Sequence, residues 1–316
     1  MGTQDTHYAF GVDIGGTRTK TGLVDTGRGE IIGSEVAMTV TDDASRFIEV
    51  LGESAERVLR DTGVRFSDIA GIGIGVPGYV DVDTGVVDTT FGFLPFMENY
   101  YLKRIVEERL GLPCRLDNDA RVVALGEARF GAGIGSHRLL VLTLGTGVGV
   151  GVIIDGGFIN TSPLEHMAGH VPFSGSGREC YCGVPGCFES CVCADGIIWA
   201  LKDKLRAGGI SRFSPDDSVT TEEIFRAAAE GDYAATGVVE KVLTDIARGI
   251  NGYVHLFAPD TVVIGGGISR GLIPYLERIG ENIVAKPMRD YTVKILVSDL
   301  QEHAGILGAA ALFTAP

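Results

Sequence analysis

Four residues stand at metal-ligand spacing. Cys180, Cys182 and Cys187 form C-x-C-x₄-C, and His170 lies ten residues upstream of the first. Three thiolates and one imidazole complete the tetrahedral shell of a structural Zn²⁺. The alternatives are buried thiols or disulfides. Cys180 and Cys182 are too close in sequence to pair comfortably. Three glycine turns form a second group, DIGGT (13–17), LGTGVG (144–149) and IGGGIS (264–269), each after an apolar run. Such a turn at a strand's C-terminal end can line a phosphate with backbone N–H groups, and Thr17 and Thr146 would add hydroxyls. One turn alone reads more often as a tight hairpin; three, one led by Asp13, point to a nucleotide cleft. None is GxxxxGK[ST], and the first two lead back into strands, which excludes the P-loop and strand–GxGxxG–helix patterns. Asp119, in DNDA (117–120), stands where a helix begins. That position suits an N-cap and an acid–base group equally.

The elements that must hold these groups are read from periodicity. YAFGVDI and KTGLVD read as strands flanking the first glycine turn, and LLVLTL and VGVGVIID flank the second, so Asp13–Thr17 aligns with Thr143–Gly147 as a short internal repeat. Helical spacing covers 45–61, 101–110, 194–206, 221–229, 233–257 and 303–313; strands are read at 69–76, 259–265 and 293–300. Alternating strands and helices predict an α/β protein. Cys191 and Cys193 fall outside the ligand spacing and read as small buried residues.

Lys and Arg number 27 against 41 Asp and Glu, a net charge of −14. That balance argues against a nucleic-acid or anionic-membrane partner bound by bulk electrostatics. The 46 glycines are about twice the usual share and have no three-residue period, which excludes collagen. The N-terminus reads as no secretory signal, and the longest uncharged apolar stretch, 139–154, falls short of a membrane span. A cytoplasmic protein is expected.

The ordered set DIGGTRTK, GVPG (75–78), DNDA, LGEARFGAG (125–133), LGTGVGVGVI, GH (169–170), CYCGVPGCFE (180–189), PDTVVIGGGIS and AGILGAAAL resembles the ROK family (repressor, open reading frame, kinase) of the actin–hexokinase superfamily over nearly the whole chain. The resemblance implies a two-lobed actin-like (ribonuclease H-like) ATPase fold with an interlobe cleft. A small domain would span 1–118 plus 304–316, and a large one, with the zinc loop, 119–303. It implies an ATP-dependent sugar kinase, glucokinase-like, with Mg²⁺ and a structural Zn²⁺. Asp119 would be the catalytic base, and Asn118, Gly78, His170, Glu189 and Glu165 would bind sugar. Asp13, Gly15, Gly16, Thr17, Lys20, Gly145, Thr146, Gly147, Gly265, Gly266 and Gly267 would serve the nucleotide. His170, Cys180, Cys182 and Cys187 would hold the zinc, leaving the second imidazole nitrogen free to meet a sugar hydroxyl. A small-molecule sugar partner and a homodimer are expected.

Two departures bear on the substrate. Met167 stands where the family carries Glu, three residues before the zinc-binding His, so Glu165 or His166 would have to reach in. The stretch TTFGFLPFMENYY (89–101) lacks the family's Asn-Leu pair and Trp. Both point away from plain glucose, toward a sugar altered at C1–C3, a deoxy sugar or a cyclic polyol, with ATP or polyphosphate as donor. Competing readings are a sugar-responsive DNA-binding regulator, disfavoured by the acidic charge and the twelve residues before Asp13, and a catalytically silent sugar sensor.

Overall fold

A computed structural model describes residues 7–89, 94–159, 163–174 and 178–314, apart from the side chains of 163–166. The chain divides into two compact units: residues 1–141 with 151–166 and 299–316, and residues 142–150 with 167–298. Among the described residues no helix is long and apolar enough to cross a membrane.

The first unit is built on a five-stranded sheet. Its strands are β1 (Tyr8–Ile14), β2 (Arg18–Asp25), β3 (Glu30–Met38), β4 (Ile69–Val76) and, past a hairpin of β5 (Tyr79–Asp81) and β6 (Val86–Asp88), β7 (Cys114–Asn118). The order is β3-β2-β1-β4-β7. β1, β2 and β3 pair antiparallel, whereas β4 and β7 run parallel to β1. Helices α1 (Ala44–Thr62), α2 (Leu102–Leu110) and α3 (Asp119–Phe130) connect or follow these strands. α1 buries Phe47, Ile48, Leu51, Ala55 and Val58, an i, i+3/i+4 stripe. Asp43 caps its start by accepting from Arg46 N, and Gly63 ends it at φ 69°. That stripe joins Phe10, Val12, Ile72, Ile74 and Leu116 in one core, where each large side chain contributes about 1.5–3 kcal/mol.

A second five-stranded sheet has the order β10-β9-β8-β11-β12, from β8 (Arg138–Leu144), β9 (Val148–Ile154), β10 (Gly157–Phe158), β11 (Thr261–Gly265) and β12 (Lys294–Val297). The second unit carries helices α4 (Phe188–Val192), α5 (Ala194–Arg206), α6 (Thr221–Ala229), α7 (Tyr233–Phe257), α8 (Ser269–Leu272) and α9 (Leu276–Glu281). α7 buries Val238, Val242, Ile246, Ile250 and Tyr253 along one face.

The last helix, α10 (Ala304–Ala311), lies in the first unit and accounts for much of its glycine. A Cβ on Gly11 of β1 would stand 1.9 Å from Ile306 O, and one on Gly308 1.8 Å from Val122 O. The helix therefore packs at backbone distance on both the sheet and α3. The sequence reading opened the large domain at residue 119; in the structure α3 groups with the first unit because of this packing.

Candidate active site and metal centre

In the first unit, register gathers the acids. Asp13 of β1 pairs with Gly75 of β4, and Gly75 pairs with Asp117 of β7. All three residues lie near the carboxyl ends of neighbouring parallel strands, where α/β sheets commonly place ligands. One step further, Asn118 closes β7 and Asp119 opens α3.

The cap position is settled in favour of Asn118. Its Oδ1 accepts from Ala120 N at 2.9 Å and Arg121 N at 3.4 Å, while its Nδ2 donates to Gly78 O at 3.0 Å. Asn118 is 1% exposed, so the carboxamide holds the strand–helix junction against the turn at Gly78, whose φ is +104°. Asp119 is the first helical residue, not the N-cap that the sequence suggested. Its Oδ1 accepts from Ala120 N at 2.9 Å. Burial, then the charge of Asp13, push the Asp119 carboxyl up to about 7. Burial also raises Asp13, against the pull of Lys20, whose Nζ lies 4.0 Å from Asp13 Oδ2 and donates to Glu302 O at 2.9 Å. Gly16 and Thr17 are exposed at the β1–β2 turn, whereas Gly15 N is already committed to Arg18 O at 3.0 Å.

Sequence reasoning missed Arg121. Its side chain is 1% exposed, its Nε donates to Asp117 Oδ1 at 2.7 Å, and its guanidinium lies 4.1 Å over the Phe158 ring. The i, i+4 spacing of Asp117 and Arg121 was the available signal.

In the second unit two glycine turns meet. Gly266, at φ +82°, packs so closely on Leu144 that a Cβ would stand 2.3 Å from Leu144 O, and Ile268 N donates to the same oxygen at 3.1 Å. Thr146, Gly266 and Gly267 are exposed there; Gly145 and Gly147 are partly so and Gly265 is buried.

The ligand atoms of His170, Cys180, Cys182 and Cys187 all lie within 4.8 Å of one another. A tetrahedral Zn²⁺ with bonds of about 2.3 Å has ligand–ligand edges of about 3.8 Å, so the four fit such an ion with a small contraction. His170 Nδ1 faces the thiols, 3.6 Å from Cys180 Sγ and 3.9 Å from Cys187 Sγ. Burial above all pushes the Cys180 thiol up, a cost that a cation among the sulfurs offsets. The second imidazole nitrogen is not left open: Tyr181 Oη lies 2.9 Å from His170 Nε2, its ring edge-on to the imidazole. Glu189 is 5% exposed and accepts from Val148 N at 2.9 Å. Cys193, buried, caps α5 by accepting from Gly196 N. The side chains of Glu165 and His166 lie outside the described residues, as do residues 90–93 of the stretch after GVPG.

The sequence pattern of the ROK family matches residues 9–315. The chain belongs to the ROK family. It is 33% identical over 310 residues to a glucokinase of Thermotoga maritima, covering 96% of each chain. It is also 30% identical over 291 residues to a xylose repressor of Caldicellulosiruptor bescii, covering 90% of this chain and 72% of that one. The fold matches the crystal structure of a ROK family glucokinase from Streptomyces griseus in complex with glucose and AMPPNP, with a TM-score of 0.79, 28% identity, and coverage of 96% and 98%. The α/β architecture is therefore the actin-like ATPase fold of ROK hexokinases. Both kinases and repressors stand among these ROK relatives, so family membership alone does not choose an activity.

Proposed function

We propose that this ROK protein is an ATP-dependent sugar kinase that transfers the γ-phosphoryl group to a sugar hydroxyl. The observation that carries this reading is Asp119: a carboxyl at a strand–helix junction, outside the cap position that Asn118 holds, and raised to about 7 beside Asp13. A base with that affinity for protons takes one up near neutral pH. Asp119 accepts the proton of the attacking hydroxyl, the hydroxyl oxygen bonds to the γ-phosphorus, and the bond from that phosphorus to the β–γ bridging oxygen breaks to leave ADP. Asn118 and Gly78 hold the junction from which Asp119 projects. Asp13, partly exposed and bearing only oxygen donors, suits a hydrated Mg²⁺; when bound, that ion neutralises phosphate charge. Lys20 and the exposed amides of Gly16 and Thr17 serve phosphate on the first unit. Gly145, Thr146 and Gly147 face the transferring phosphate on the second, with Gly265, Gly266 and Gly267 nearer the α-phosphate or adenosine. His170, Cys180, Cys182 and Cys187 hold a structural Zn²⁺, and His170 and Glu189 belong to the sugar side.

Two observations favour a sugar other than glucose. Tyr181 occupies His170 Nε2, and Met167 supplies no carboxylate. A phenol and a thioether suit a sugar altered at its C1–C3 end, a deoxy sugar or a cyclic polyol. The deciding experiment is a coupled phosphorylation screen over hexoses, amino sugars, deoxy sugars and inositols, with ATP and with polyphosphate. Sugar-stimulated ADP release with at least one acceptor is expected. Sugar binding without turnover across the whole panel, with either donor, would replace the kinase by a silent sugar-sensing protein.

A further inference from the structure

Glu189 makes contacts that a sugar-binding role does not require. It lies in the first turn of α4, two residues after the ligand Cys187, so the cluster itself fixes where its backbone sits. The side chain is 7% exposed. A buried carboxylate needs hydrogen-bond or charge partners, and this one finds them in two directions. Oε2 accepts from Val148 N at 2.9 Å, and a Cβ on Gly147 would stand 3.0 Å from the same oxygen. Oε1 accepts from Cys180 Sγ at 3.6 Å and lies 3.8 Å from His170 Nδ1.

Two backbone contacts run in parallel. Ala194 N, at the start of α5, donates to Gly145 O at 2.8 Å. Gly169, beside His170, packs so that a Cβ would stand 2.4 Å from Val148 O. The turn from Gly145 to Val148 is thus held by the chain segments that carry the His/Cys ligands, and the Glu189 side chain touches both.

We propose that Glu189 is a positioning residue that ties the His170/Cys180/Cys182/Cys187 cluster to the Gly145–Val148 turn, so that nucleotide affinity at this turn depends on the cluster being filled. The inference rests on reading the turn as a phosphate site. Ligation by the cluster would fix Cys187, two residues before Glu189, and so hold Oε2 on Val148 N. With the cluster stripped, no metal bond fixes the segment that carries Glu189, and its contact with Val148 N loosens.

The test uses the full chain without sugar. The dissociation constant of Mg²⁺–AMPPNP is measured by calorimetry, and exchange of the Val148 amide is followed by hydrogen–deuterium mass spectrometry. Glu189→Ala should weaken AMPPNP about tenfold and accelerate Val148 exchange. Glu189→Gln should recover most of both, because an amide oxygen still accepts from Val148 N. Wild-type protein stripped by a chelator should behave as Glu189→Ala does, and this arm stands even if that variant fails to fold. Unchanged Val148 exchange after complete metal removal would overturn the coupling, as would wild-type AMPPNP affinity in Glu189→Ala. Wild-type protein that binds no AMPPNP would refute the phosphate-site reading instead, while the exchange arm would still decide whether cluster and turn are linked.

Discussion

The raised carboxyl of Asp119 gives the sharpest prediction. With a midpoint of about 7, the ionised fraction is about one-eleventh at pH 6 and ten-elevenths at pH 8, so kcat/KM for the sugar should rise about tenfold between them. Asp13 contributes part of that elevation by like-charge repulsion, after burial. Asp13→Asn removes the repulsion and keeps the burial, so the midpoint should fall below that of the wild type without reaching the ordinary carboxylate value. Carbon-13 NMR of labelled aspartates in the ligand-free protein reads both midpoints directly, and the coupled assay reads the wild-type rate profile. The stability sign runs the other way from a cap. The folded-state pKa lies above the unfolded value of 3.8, so this carboxylate's contribution is favourable while protonated and is lost as pH rises from about 4 through 7. Asp119→Asn should therefore unfold at a higher temperature than wild type at pH 8 while losing turnover; a capping Asp would lose stability instead. A flat rate profile from pH 5 to 9, or a destabilised Asp119→Asn, would refute the reasoning.

Arg121→Met strands the buried Asp117 carboxylate, and urea unfolding should record a loss of about 3–5 kcal/mol. Gly305→Ala places a Cβ 2.5 Å from the Asp13 carboxyl carbon; the displaced carboxylate should lower kcat about a hundredfold, measured at saturating Mg²⁺ and ATP. Purified protein should carry about one zinc per chain by mass spectrometry of metals, and Cys182→Ser should lose it. Tyr181→Phe uncovers His170 Nε2, so KM for the preferred sugar should change while KM for ATP stays fixed in steady-state assays.

Much of the scaffold was legible because the signals were long or doubly marked. The 194–206, 221–229 and 233–257 helices follow their apolar spacing to the residue, and α6 also carries a Thr220–Glu223 capping box. The glycine turns and the C-x-C-x₄-C cluster were legible because few other chemistries use those spacings. β3 was not. Its more exposed face carries Ile32, Val36 and Met38, while Glu35 and Ala37 turn to the less exposed one. Binary patterning is inverted on this edge strand, and periodicity has nothing to read. In DNDA, two adjacent residues can each cap a helix, so the choice of Asn118 needed the third dimension. No sequence signal told whether Glu189 faces a polyol or Val148 N, because side-chain direction at a helix start is set by packing.

Three carboxylates crowd the ends of β1 and β7, and their cation partners sort them by role. Asp117 is nearly fully buried and is paired at 2.7 Å with Arg121, equally buried, so its charge is compensated and its position fixed. Asp13 has Lys20 at 4.0 Å, a looser partner on a partly exposed side chain, which leaves it able to attract a further cation. Among the described residues no lysine or arginine pairs with Asp119, and its nearest electrostatic neighbour is the like charge of Asp13. Burial raises all three carboxyls, Asp117 against the pull of Arg121, and the differences in pairing decide their roles. A paired acid becomes structure, a half-paired acid can serve a metal, and an unpaired acid is driven toward a neutral-range pKa, where proton transfer to and from a hydroxyl is easiest. A cation engineered beside Asp119, by placing Lys at an adjoining position, should return its midpoint to the ordinary carboxylate range and remove the rise in rate between pH 6 and 8. A profile unmoved by such a charge would mean that the rise belongs to some other group.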